Sequence, residues 1–150
     1  MDIVVFYDGC FEKAFRNTST TRIRALMTRV EEIFSEYDSL ETIIKFPDDF
    51  PIVPKLDSSW CNKNWTDWTV ITKHDGELGL IAERSSLSAH AYIFVTHRSK
   101  ERILDELDEG ISPIRGMAIT GSACNTGIGI IEYLPDSARN SSMQNAEVFC

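Results

Sequence analysis

Three histidines and four cysteines are the side chains of this 150-residue chain best suited to hold a metal or attack a substrate. A zinc-binding helix needs two histidines at i and i+4, so that both lie on one face. His74, His90 and His97 include no such pair. His90 and His97 lie an odd number of residues apart, so along one strand they point to opposite faces of a sheet. Cys10, Cys61, Cys124 and Cys150 contain no C-x-x-C pair, the spacing of a zinc knuckle or a redox dithiol. Ser58, Ser85 and Ser122 lack the G-x-S-x-G setting of an activated serine. The glycines between Gly121 and Gly129 lack the lysine that follows a phosphate loop, and "IGIIEY" continues as strand rather than opening a helix. No catalytic constellation is recognisable within these residues.

Composition narrows the class. A net charge of −8 argues against a nucleic-acid surface, which needs clustered Lys and Arg. Arg16, Arg22, Arg24 and Arg29 gather on one segment and read as a solvated helix face. No apolar run approaches the roughly 20 residues of a membrane span. Three N-glycosylation sequons begin at Asn17, Asn64 and Asn140. Together with scattered cysteines they lean towards a secreted protein. "MDIVVFYD" has neither the basic start nor the small-residue cleavage site of a signal peptide and reads as a strand. A secreted parent therefore needs sequence upstream.

Hydrophobic periodicity supplies the elements. Ile3 to Tyr7 is an apolar, β-branched run that predicts a buried strand, ended by Asp8 and Gly9. Ile23, Leu26, Met27, Val30, Ile33, Phe34 and Tyr37 keep helical spacing; Thr20 or Thr21 caps the start, and Asp38 and Ser39 close the helix. A second strand is expected over residues 40–46. Pro47, Pro51 and Pro54 then predict a loop. Residues 66–85 read as a second long helix, although Gly76 and Gly79 weaken it. "HAYIFVT", from His90 to Thr96, is a third strand, and a helical turn is expected over residues 100–107. Two short strands follow over residues 117–120 and 128–133, and Ser141 and Ser142 start a helix that runs to the last residue. The expected fold is one α/β domain over residues 1–150, a mixed, mostly parallel twisted sheet of about five strands with two long helices.

In this order the segments "DIVVFYD", "TRIRALMTRVEEIFSEYDSLETIIKF", "AHAYIFVTHR" and "GMAITGSACNTGIGIIEYLPDS" resemble the front part of the catalytic domain of reprolysin (adamalysin-type) zinc metalloproteases, within the metzincins. Short secreted forms from arthropod saliva and venom are the nearest in character. The likeness spans most of the chain, apart from the segment between Trp60 and Trp68. It implies the upper subdomain of a metalloendopeptidase acting on protein or peptide substrates. It also implies that "MQNAEVF" leads into the zinc helix, so that the H-E-x-x-H-x-x-G-x-x-H ligands and the general-base Glu follow Cys150, and these residues alone are inactive.

The same resemblance assigns residues singly. Gly116, Met117, Ala118, Ile119 and Thr120 match the edge strand that pairs with an extended substrate through backbone hydrogen bonds. Cys124 matches a family cysteine whose partner lies further along the parent, which leaves Cys10 and Cys61 as a candidate disulfide. Asp2 falls near an acidic calcium ligand, but Ser99 stands where the next acidic ligand belongs, which argues against calcium. Two other readings remain: a short, non-catalytic secreted binding protein with the same half-fold, and an unrelated cytosolic α/β domain. A Cys10–Cys61 bond would count against the last.

Overall fold

The first strand, β1 (Ile3–Asp8), is buried along its whole length, and the rest of the fold is arranged on its two faces. The computed structural model describes residues 1–36, 44–62, 78–98, 116–118 and 127–133. The other strands are β2 (Ile52–Lys55), β3 (Ala91–Thr96), β4 (Gly116–Ala118) and β5 (Gly127–Glu132). They form one sheet in the order β2-β1-β3-β5-β4. The pairs β1–β2, β1–β3 and β3–β5 are parallel, while β4 runs antiparallel to β5. The sheet is therefore mixed and mostly parallel, as expected.

Side-chain alternation explains why β1 and β3 read as continuous apolar runs. Ile3, Val5, Tyr7, Ile93 and Val95 face one core; Val4, Phe6, Tyr92 and Phe94 face another. A parallel sheet covered on both faces has no polar side to show. Helix α2 (Ser19–Glu36) covers the first face with Ile23, Leu26, Met27, Val30, Ile33 and Phe34. This is the stripe that its helical spacing predicts. The second face is covered by Trp60 and by Leu78 and Ala82 of the helical residues 78–84. Those residues lie within the second helix expected over 66–85.

Three local expectations are corrected. A helix α1 (Gly9–Phe15) and a 3-10 turn (Arg16–Thr18) occupy the stretch after β1 that had no assigned element. As a result α2 begins at Ser19, and Thr20 and Thr21 lie inside its first turn rather than capping it. The second strand is Ile52–Lys55, in the proline-rich segment read as a loop, whereas residues 44–46, the described part of the expected 40–46 strand, are not strand. Pro54 pairs in register with Tyr7 but is exposed on the outermost parallel strand, where a missing N–H costs little. The expected turn over residues 100–107 and the helix from Ser141 lie outside the described residues.

Three of the four clustered arginines make local contacts. Arg22 stacks on Phe15 and Arg24 on Phe50, at 4.6 and 4.9 Å from the ring centroids. Arg29 pairs with Glu32 and Glu36 along α2.

Candidate functional site

Two places in this fold could do something beyond holding it together: the carboxyl ends of β1 and β3, and the outer strand β4. At the first, Asp8 is the last residue of β1 and fully buried. It caps α1, with its Oδ1 accepting from the Phe11 N–H at 3.0 Å. Its Oδ2 accepts from the Trp60 N–H at 2.8 Å and from the Thr96 hydroxyl at 2.6 Å. The Cys61 N–H also donates to it. One carboxylate thus ties the ends of β1 and β3 to the turn Trp60–Asn62 and to α1. Burial pushes the Asp8 carboxyl above its ordinary range, while the donors from Thr96, Phe11, Trp60 and Cys61 pull the other way without cancelling it.

The same turn is held covalently. Cys10 and Cys61 form a disulfide with Cα atoms 6.2 Å apart. Gly9 is required beside it: a Cβ there would meet the Leu56 carbonyl oxygen at 2.7 Å, and the Gly9 N–H donates to the Ser58 carbonyl at 3.0 Å. Trp60 is buried edge-on against Phe94, their centroids 5.3 Å apart. Next to this junction Arg98, just past β3, forms a fully buried ion pair with Glu132 at the end of β5, its Nε donating at 3.0 Å. His97 is half-buried, with Nδ1 at 2.8 Å from the Tyr133 carbonyl and its ring against Phe15. A carbonyl can only accept, so that nitrogen carries the proton.

Above these groups lies an open crevice of about 680 Å³, lined in part by Cys10, Lys13, Ser58, Ser59, Cys61 and His97. The ligand atoms of Asp8, Cys10 and Cys61 lie within 4.8 Å of one another, the one cluster of this kind among the described residues. It does not fit zinc. The two sulfurs are bonded to each other, and both Asp8 oxygens already accept hydrogen bonds. A zinc site wants deprotonated thiolate, imidazole or carboxylate ligands. No step of chemistry is therefore assigned to a metal here.

The second place is β4. Gly116, Met117 and Ala118 are paired in register with Ile131, Ile130 and Gly129, and among the described residues they pair with β5 alone. Ile119 and Thr120 lie outside the described residues, as do Cys124, Asn64, Asn140, Ser99 and His74. Asn17 is exposed in the 3-10 turn between α1 and α2. Asp2 is exposed beside His90, 3.6 Å from its Nδ1.

No family model matches this chain, and no curated protein matches it.

Two groups at the sheet end escape a reading of the sequence. Asp8 did carry a signal, since an Asp at a strand end with apolar residues at Phe11 and Phe15 is the pattern of a short capped helix. Arg98 and Glu132 carried none, because 34 residues separate them and only the pairing of β3 with β5 brings them together.

Proposed function

We propose that these residues form the sheet-bearing part of a secreted zinc-dependent metalloendopeptidase of reprolysin type, and that β4 is where an extended substrate pairs. The position of β4 carries this reading. It is antiparallel on an otherwise parallel sheet and outermost among the described strands. A strand so placed offers backbone donors and acceptors to a peptide that adds to the sheet. The order of elements, with a buried strand, a long helix and an antiparallel outer pair, supports the resemblance drawn from the sequence. The Cys10–Cys61 disulfide and the exposed sequon at Asn17 support an extracellular setting and count against a cytosolic domain.

In this reading the described residues bind and orient and perform no bond cleavage. Zinc, supplied with its ligands by sequence following residue 150 in the parent protein, would provide the activated water. Without that sequence the same outer strand would act as a peptide-binding module. Sequencing the parent transcript past the codon for Cys150 separates the two. An H-E-x-x-H motif within the first helical turns downstream supports the protease. A downstream frame without it overturns the protease and leaves the binding module.

A further inference from the structure

The geometry points to a second site, independent of β4: the crevice at the carboxyl ends of β1 and β3 binds a small oxyanion, the phosphate or carboxylate group of a small molecule. Topology is the first reason. The chain leaves β1 towards β2 on one side, and leaves β3 towards β4 on the other. Where connections diverge in this way, an open parallel sheet forms a crevice just beyond its strand ends, and ligands bind there. The crevice here is lined by residues that follow β1, such as Cys10 and Lys13, and by residues that follow β3, His97 and Arg98. Its volume of about 680 Å³ suits a small molecule.

Charge is the second reason. The chain carries a net charge of −8, yet every ionisable side chain on the described lining is basic: Lys13, His97 and Arg98. Arg98 is committed to Glu132, so Lys13 is the cation on this lining that can meet a ligand. Lys13 is exposed on α1. His97 gives its Nδ1–H to the Tyr133 carbonyl, so its Nε2 can donate to an oxyanion only when the ring carries both protons. Ser58 and Ser59 add hydroxyls to the same wall. The wall carrying both serines is stapled to α1 by the Cys10–Cys61 disulfide, so the two sides of the crevice are held together before a ligand arrives.

The test is a titration of the 15N-labelled chain with inorganic phosphate and, separately, acetate, at ionic strength held constant with sodium chloride. Saturable shifts of the Gly9, Lys13, Ser58 and His97 amides are expected with at least one probe, and the probe that saturates identifies the anion class. Lys13→Ala, a surface change that leaves the fold intact, is expected to weaken binding about tenfold, the size of one charge-assisted hydrogen bond. Lys13→Glu is expected to abolish it. Shifts that grow linearly with both anions, or a Lys13→Glu variant that titrates like the parent, would overturn the proposal.

Discussion

At the carboxyl end of β1 the polar groups are buried and committed: Asp8 accepts from three elements, and Arg98 holds Glu132 out of water. At the opposite side of the sheet, β4 is hydrogen-bonded to β5 and to no other described strand. The first region contains the side chains that look most like chemistry, an aspartate, two cysteines and an arginine–glutamate pair. They are consumed in holding a turn and helix α1 onto the strand ends and in joining the ends of β3 and β5. The contrast teaches that residue type is a poor guide to function here, because the Asp8 carboxylate is buried and already accepts from Phe11, Trp60, Cys61 and Thr96. In the proposed reading, a strand outermost among the described strands recognises a peptide through its backbone.

Removing one half of the buried pair is the strongest way to break this contrast. Glu132→Ala leaves the Arg98 charge buried without its carboxylate and is expected to lower unfolding free energy by about 3–5 kcal/mol in chemical denaturation. A loss below about 1 kcal/mol would mean that this end of the sheet is not organised by the pair. Asp8→Ala comes next. It strips the α1 cap and the acceptor for Trp60, Cys61 and Thr96, for a loss on the order of 3 kcal/mol.

The smallest expected effect sharpens the electrostatics. Burial raises the Asp8 pKa in the folded state, so the folded chain holds that proton more tightly than the unfolded one. Its contribution to stability is therefore fully present below the ordinary Asp range and is lost as pH rises through the folded value. Compared with an Asp8→Asn variant, the parent should gain relative stability as pH falls from neutral towards about 4. Paired denaturation curves across that range measure it, and a relative gain on raising the pH would reverse the assignment.

Much of the frame was legible because its signals are local. The β1 and β3 runs and the α2 stripe are periodic patterns that a continuous core on each sheet face enforces. The short strands Gly116–Ala118 and Gly127–Glu132 were also readable, and they overlap the strands expected over 117–120 and 128–133. β2 was hidden because its two neighbouring prolines, Pro51 and Pro54, punctuate like a loop, and only an outer parallel strand tolerates them. Helix α1 was hidden by its seven-residue length, too short for periodicity to stand out. The Cys10–Cys61 bond followed from the resemblance alone. The Asp8 junction needed the fold, because its donors come from positions 11, 60, 61 and 96, which no sequence window contains together.

The most direct test of β4 as a peptide dock is hydrogen exchange and amide shifts of Gly116, Met117 and Ala118 in the 15N-labelled chain, read during titration with extended peptides. Saturable shifts and slowed exchange at these three residues are predicted. They should be absent when the peptide backbone is N-methylated at alternate positions, which removes the donors that strand addition needs. Equal binding of the methylated peptide, or saturation at other residues while β4 stays silent, would contradict the edge-strand reading.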